Sequence, residues 1–180
     1  MSRVAFVAAC VVLLAGCGGS GGGAVAHVGG DTITTKQLDA LVAHFQKEAR
    51  AEGHDFPKSG TETYKQLQRH LLGLLVYRTE LRQAAKRLGV TVDQDELSKR
   101  LTATQQGGEE EGDSNGDTFA RDSVEAQLLT EGIAAKVTRG VTGKNAADTA
   151  ARRNRKLAAF LDRLQRETDV RYEPGYAPGS

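Results

Sequence analysis

The feature that most constrains the fold is a series of apolar side chains between residues 61 and 88. Apolar residues occur there at alternating intervals of three and four positions, namely Tyr64, Leu67, Leu71, Leu74, Leu81, Ala85 and Leu88. Arg78 occupies the one position of this series that is not apolar. This spacing places one apolar stripe along one face of an α-helix. A helix of this length extends about 40 Å. Several shorter segments are therefore needed to cover the stripe, and we expect them to pack against it.

The two ends of this long helix carry their own signals. Ser59 and Glu62 have the spacing of a capping box, which predicts where the helix begins. Gly89 follows the last apolar residue and can adopt the left-handed conformation that ends many helices.

The N-terminus has the features of a bacterial lipoprotein signal. Arg3 provides a positive charge, residues 4–14 form an apolar run that is short for a membrane span, and the sequence LAGC ends at Cys17 in the form of a lipobox. We therefore predict a signal peptide over residues 1–16 and attachment of acyl groups such as palmitate to Cys17. An ordinary signal peptide with an incidental cysteine is the alternative. Lipidation would hold the mature chain at the outer side of the cell membrane.

Charge and cysteine content argue against several classes of function. Loss of Arg3 reduces Lys and Arg from 24 to 23, which equals the 23 Asp and Glu residues. The mature chain then has no basic excess for general nucleic-acid binding. Of the two cysteines, Cys10 is removed and Cys17 is lipidated, so no thiol remains for a disulfide or a metal site. The four histidines form no HExxH pair and no Gly-x-Ser-x-Gly sequence occurs. We predict no catalytic residue, metal or cofactor.

Between the lipid and the long helix, the sequence predicts a linker, a strand pair and a first helix. Residues 17–23 continue from the lipidated cysteine into a Gly/Ser-rich stretch that is typical of a flexible linker. Residues 24–34 contain two short strand patterns joined at residues 29–31. Thr34 and Gln37 then have the spacing of a capping box and begin an amphipathic helix.

Beyond the long helix, the sequence predicts two helices separated by a loop. Asp93 caps a short helix. Residues 107–117 form an acidic, solvated and mobile loop, because they include no apolar side chain and lack the EF-hand spacing that calcium requires. The next helix is predicted over residues 119–138.

The C-terminal part contains a last helix and a strand. Asn145 caps this helix, which continues to about residue 168. Residues 170–172 read as a short strand, and we expect it to pair with residues 24–28 because a two-stranded hairpin alone is marginally stable. Residues 174–180 form a tail.

The order of these elements resembles the N-terminal chaperone domain of the SurA/PrsA-type extracytoplasmic foldases. Residues 25–34 read VAHVGGDTIT, where the family commonly carries Val-Asn-Gly before Ile-Thr. Residues 88–97 read LGVTVDQDEL, which is similar to the family's Gly-Val/Ile-Thr-Val followed by acidic residues. The resemblance covers residues 25–142. It implies a mainly α domain over residues 24–173, built around one long helix, with a small β element that pairs N- and C-terminal strands.

One departure from the family bears on function. Many members carry a parvulin-type prolyl isomerase domain between the last helices, where this chain has residues 140–144 and where no parvulin motif is found. The resemblance then implies a membrane-anchored chaperone that binds unfolded secreted or envelope polypeptides through apolar surface, without catalysis. A peptidyl-prolyl isomerase, by family membership, and an assembly factor dedicated to one envelope partner are the alternatives.

Two sets of side chains are candidates for these contacts. Aromatic residues on or before the long helix are candidates to bind an unfolded client, namely Phe45, Phe56, Tyr64 and Tyr77. Basic residues at the start of the last helix are candidates to contact anionic lipid headgroups, namely Arg152, Arg153, Arg155 and Lys156. A solvated helix face is the alternative for the basic set.

Overall fold

The computed structural model describes residues 22–105 and 114–179. In these ranges the elements follow one another in the order β1 (Ala24–Val28), β2 (Asp31–Thr34), α1 (Thr35–Ala51), α2 (Glu62–Leu88), α3 (Gln94–Gln105), α4 (Ser114–Val137), α5 (Ala146–Glu167) and β3 (Val170–Tyr172). The predicted mainly helical architecture with a small sheet is confirmed. The predicted signal peptide, Cys17 and residues 107–113 of the predicted acidic loop lie outside the described residues.

The three strands form one antiparallel sheet in the order β2-β1-β3. A tight turn at Gly29 and Gly30 joins β1 to β2, and Gly29 has a φ of 55°, which glycine adopts at low cost. At the other edge of β1, the backbone N–H of Glu173 donates to the carbonyl of Val25 at 3.0 Å. The predicted pairing of the N-terminal and C-terminal strands is therefore confirmed.

The start of α1 follows the sequence signal, whereas the start of α2 does not. Thr34 and the Gln37 side chain form the predicted capping box of α1. The N-cap of α2 is Thr61, whose hydroxyl accepts the backbone N–H of residue 64 at 3.2 Å. The predicted box of Ser59 with residue 62 is wrong, because Gly60 has a φ of 83° and turns the chain outside helical conformation just before the cap.

The remaining helix ends agree with the sequence at most positions. Gly89 ends α2 with a φ of 64°, Asp93 accepts two backbone N–H groups at the start of α3, and Asn145 caps α5. The prediction that α4 begins at residue 119 is wrong: the helix begins at Ser114, so residues 114–117 of the predicted acidic loop belong to α4. Once a helix is anchored by packing, adding residues to its end costs little compared with nucleation.

The core consists of two apolar clusters that lie one after the other along α2. The first joins the sheet and α1 to the N-terminal half of α2, and its buried members are Val25, Ala26, Val28, Ile33, Leu38, Leu41, Val42, Leu71, Leu72 and Val76. The second joins α4 and α5 to the C-terminal half, and its buried members are Leu81, Ala84, Ala85, Leu129, Ile133 and Leu164. The long helix is therefore the axis on which the other elements pack, as its stripe predicts.

Two charged side chains of α2 are buried, which the apolar spacing does not predict. Arg78 is 5% exposed and Glu80 is 3% exposed. Burial raises the pKa of Glu80, because an ionised carboxylate loses hydration inside the protein. Burial also raises the pKa of Tyr172 on β3, and the charge of Glu80 adds to this effect. The carboxyl of Glu80 and the phenol of Tyr172 therefore influence each other electrostatically.

Candidate functional site

A concave surface of about 380 Å³ lies between α1, α2 and α4, beside the end of β2; we call it the α1–α2–α4 pocket. Its apolar lining consists of Ile33, Ala40, Leu41, Leu75 and Phe119. Ile33 and Leu41 are buried and belong to the first core cluster, on which Leu75 and Phe119 also pack. The apolar wall of the pocket is therefore an open edge of the core.

Polar side chains surround this apolar lining. They come from α1, α2 and α4 and consist of Lys36, Gln37, Arg78, Thr79, Arg82, Thr118 and Asp122. Among the lining residues that the structure describes, three are cationic and Asp122 is the one carboxylate. A concavity that combines apolar side chains with polar groups can both bury an apolar ligand and fix its orientation.

Arg78 is held firmly in the wall of the pocket. Its guanidinium carbon lies 4.9 Å from the ring centroid of Phe119, which is cation–π geometry. Its Nη2 donates to the hydroxyl of Ser123 at 2.8 Å, and its Nη1 lies 3.8 Å from the carboxylate of Asp122. Burial lowers the pKa of Arg78, and the attraction of Asp122 offsets this only in part. The guanidinium nevertheless remains charged, as arginine does throughout proteins.

Arg82 is one turn further along α2 and is more fully paired. Its Nη2 donates to Asp122 at 2.9 Å and to Glu125 at 2.7 Å. Burial by itself lowers the pKa of Arg82, but the hydrogen bonds and charges of Glu125 and Asp122 outweigh burial and raise the pKa above its ordinary value. These ion pairs connect α2 to α4 beside the pocket.

Stacked rings form the wall behind Phe119. The ring of His44 stacks on Phe119 with centroids 4.2 Å apart, and Phe45 meets Phe119 edge to face at 5.4 Å. Nε2 of His44 is buried and lies 3.3 Å from Oε1 of Glu48, but it makes no hydrogen bond to any group that the structure describes. The stack fixes Phe119 between α1 and α4.

Three of the four aromatic residues predicted to bind a client, Phe45, Phe56 and Tyr64, pack on the first core cluster. Phe45 lies in the ring stack, and Phe56 meets Tyr64 edge to face at 6.5 Å near the start of α2. Tyr77 packs on the second core cluster. None of the four is among the described lining residues of the α1–α2–α4 pocket. Their role in binding stays a prediction, and the concave surface is formed by other residues.

The basic residues predicted to contact lipid all lie exposed on α5. Arg152 pairs with Asp148 at 3.1 Å, and Arg153 donates to the carbonyl of Val141 at 3.3 Å. The backbone N–H of Lys144, followed by the side chain of Arg152, lowers the pKa of Asp148. The other two members, Arg155 and Lys156, extend the same positive surface, whose role in lipid contact stays a prediction.

Sequence reasoning missed Arg78 and Phe119, which are central to the pocket. The sequence contains one signal for Arg78: it is a charged residue at a position of the apolar stripe of α2, where a buried side chain is expected.

Within residues 22–105 and 114–179, no cluster of three or more His, Cys, Asp or Glu side chains is placed to hold a metal ion. In the same ranges, each helix is too short or too polar to cross a lipid bilayer.

The chain was compared with models of known protein families and with curated proteins. Residues 2–137 match the family model described as the SurA-like N-terminal domain. A search of curated proteins found no match to the chain.

Proposed function

The chain belongs to the family of SurA-like N-terminal domains, a chaperone-like family, and from this premise we propose that it binds unfolded polypeptides outside the cytoplasm without catalysing a reaction on them. The observation that carries this proposal is the α1–α2–α4 pocket. Its partly exposed apolar side chains are Ala40, Leu75 and Phe119, which lie in a bordered concavity beside the buried Ile33 and Leu41. Exposed apolar surface of this kind favours binding of apolar groups from another chain.

The size of the pocket supports weak and sequence-tolerant binding. A volume of about 380 Å³ is at the small end of the range of ligand pockets, so it holds a short piece of a client at a time. Burial of one large apolar side chain contributes about 1.5–3 kcal/mol, and ordering of a flexible client offsets part of this gain. The sequence has no Walker A motif for ATP. Release of the client then follows from the binding equilibrium alone.

We further propose that the chain acts while attached to the membrane. The lipobox that ends at Cys17 supports lipid attachment, and the Gly/Ser-rich sequence after it is of the type found in linkers between an anchor and a domain. The exposed basic surface at the start of α5 supports contact with anionic headgroups.

The experiment that tests client binding is an aggregation assay with the full chain in lipid nanodiscs. We expect it to suppress light scattering by a chemically denatured client in proportion to its concentration. Ala40→Arg, which fills the pocket from α1, should remove this protection. Ala158→Arg, at an exposed position of α5, makes the same change elsewhere and should retain it. Failure of the unmodified chain to protect any client would overturn the proposal.

A proline-limited refolding assay tests the absence of catalysis. Uncatalysed prolyl isomerisation takes tens of seconds at 25 °C, so an isomerase would shorten the slow phase. We expect no change in its rate constant when the chain is added. Acceleration of the slow phase would overturn this part and favour an isomerase. Capture of one stoichiometric envelope partner, without protection of generic clients, would favour a dedicated assembly factor.

A further inference from the structure

The α1–α2–α4 pocket carries more positive than negative charge. Among its described lining residues, Lys36, Arg78 and Arg82 are cationic, and Asp122 is acidic. The apolar lining is part of the same concavity, so a group that binds there leaves water while it approaches these cations. Electrostatic attraction strengthens when water is excluded, because the local dielectric constant falls.

The carboxylate of Asp122 does not fully pair both arginines. Its Oδ1 accepts from Arg82 at 2.9 Å, whereas its Oδ2 is 3.8 Å from Nη1 of Arg78. Arg82 has a second partner in Glu125 at 2.7 Å, while Arg78 donates at 2.8 Å to the neutral hydroxyl of Ser123. Among the described carboxylates, none is within hydrogen-bond distance of Arg78, so its guanidinium has donors to offer to a ligand.

The guanidinium of Arg78 is also oriented in advance. Its stacking on Phe119 and its hydrogen bond to Ser123 fix the plane of the group. A fixed guanidinium loses little conformational freedom when it binds a carboxylate, and its planar fork matches carboxylate geometry. Lys36, at an exposed position on α1 across the pocket, adds a second and more flexible cation.

We propose that the α1–α2–α4 pocket selects client segments in which an Asp or Glu stands next to a large apolar side chain. This inference rests on the proposed function and specifies its substrate class. The apolar side chain packs on Leu75 and Phe119, and the neighbouring carboxylate lies against Arg78 and Lys36. A neutral amide in the same place lacks the charge-assisted hydrogen bonds, and a Lys there is repelled. A free C-terminal carboxylate offers the same chemistry, and the experiment separates the two sources.

The test measures binding of short peptides to the full chain in nanodiscs of neutral lipid, by fluorescence anisotropy with an uncharged dye. The first peptide has blocked ends and the sequence Leu-Glu-Phe between Gly-Ser flanks. The second replaces its Glu by Gln, and the third has this Gln with Phe as the last residue and a free C-terminal carboxylate. We expect the Glu peptide to bind about tenfold more tightly than the Gln peptide, as charge-assisted hydrogen bonds predict.

Two variants of the chain locate this preference. Lys36→Gln removes one pocket cation from an exposed position and should reduce the tenfold preference to about threefold or less. Lys99→Gln makes the same change on α3, at an exposed position outside the described pocket lining, and should leave the preference unchanged. A preference that Lys36→Gln does not alter would overturn the assignment to this pocket.

The other outcomes separate the preference from the proposed function. Equal affinity for the Glu and Gln peptides, or tighter binding of the peptide with the free C-terminus, would overturn the proposed selectivity. If the denatured client is still protected from aggregation in that case, binding of unfolded chains stands. If no peptide binds and the client aggregates as it does in buffer alone, the selectivity and the proposed function both fail.

Discussion

The guanidinium carbon of Arg78 lies 4.9 Å from the ring centroid of Phe119. This contact joins the middle of α2 to the start of α4 at a place where both side chains face the α1–α2–α4 pocket. Arg78 is 5% exposed, so most of its side chain is packed against neighbouring residues and the small remainder lines the pocket. We therefore expect the contact between Arg78 and Phe119 to affect both the stability of the fold and the binding of clients in the pocket.

We expect Arg78→Ala to lower the free energy of unfolding by about 2–3 kcal/mol, because it removes the buried stem, the cation–π contact and a partner of Asp122. Arg78→Met keeps an unbranched apolar stem and should cost about half as much. Urea denaturation of both variants measures the difference. An Ala variant as stable as the unmodified chain would contradict this account.

Replacement of two helical glycines by alanine should change the stability of the protein in opposite directions. A Cβ added at Gly132 on α4 would lie 2.5 Å from Cγ1 of Val90, so one of them must move. We expect Gly132→Ala to destabilise the protein by about 1–2 kcal/mol despite its better helix propensity. Gly73→Ala on α2 meets no described atom within 4 Å and should stabilise by up to about 1 kcal/mol. Thermal unfolding compares the two.

The double variant Gly132→Ala with Val90→Ala checks the cause. Removal of the valine methyl groups makes room for the new Cβ, so part of the loss should be recovered relative to the sum of the two single changes. Simple additivity would show that the clash with Val90 is not responsible.

The buried carboxyl of Glu80 should make stability depend on pH. Burial raises its pKa above the ordinary value of 4.5, so the folded state holds this proton more tightly than the unfolded state does. The contribution of protonated Glu80 to the free energy of unfolding is complete below pH 4.5. It is lost as the pH rises through the raised pKa, because the carboxyl then ionises inside the protein. We therefore expect Glu80→Gln to unfold at higher urea concentration than the unmodified chain at pH 7, with the difference shrinking toward pH 4.5.

Glu167→Gln is the matched control for this experiment. Its side chain is exposed at the end of α5, so the difference from the unmodified chain should show little dependence on pH. If Glu80→Gln gives the same profile as this control, the carboxyl of Glu80 has no special environment.

Local signals in the sequence account for most of the fold. The Thr34–Gln37 capping box and Gly89 each act within one helical turn, so their positions could be predicted without tertiary structure. The pairing of β1 with β3 followed from the marginal stability of a lone hairpin. The box at Ser59 failed because the backbone conformation of Gly60 decides which hydroxyl reaches the first turn.

The pocket could not be predicted in the same way. Ile33, Leu75 and Phe119 belong to different elements, and their common surface depends on how α1, α2 and α4 cross. Periodicity gives the face of each helix but not these crossing angles, which depend on the packing of side chains between helices. It also treats Arg78 as a break in a stripe, whereas the ring of Phe119 and the hydroxyl of Ser123 offset part of the cost of burying that cation.

The basic surface of α5 is expected to contribute to lipid binding. The test uses a chain with Cys17→Ser, which has no thiol for lipidation. We expect its binding to anionic vesicles to weaken at least tenfold when four residues are changed to Gln, namely Arg152, Arg153, Arg155 and Lys156. The reason is that each basic residue near such a surface contributes about 1 kcal/mol to binding. Cosedimentation at low and moderate salt measures this loss.

A second set of four charges provides the comparison for the α5 experiment. Exposed lysines on other parts of the chain are changed to Gln in the control, namely Lys58, Lys86, Lys99 and Lys136. The control has the same net charge as the α5 variant, so general electrostatic attraction is matched. Equal loss of binding in both would assign the effect to net charge and not to α5.

The antiparallel pairing of β1 with β3 also limits when the protein can finish folding. Ribosomes add about 5–20 residues per second, so β1 waits roughly 7–30 s for β3 to be synthesised. During this interval the edge of β1 that later receives Val170–Tyr172 is an unpaired hydrogen-bonding edge, which can pair with other chains. The sheet therefore closes only after residues 170–172 have been translated, long after β1 has left the ribosome.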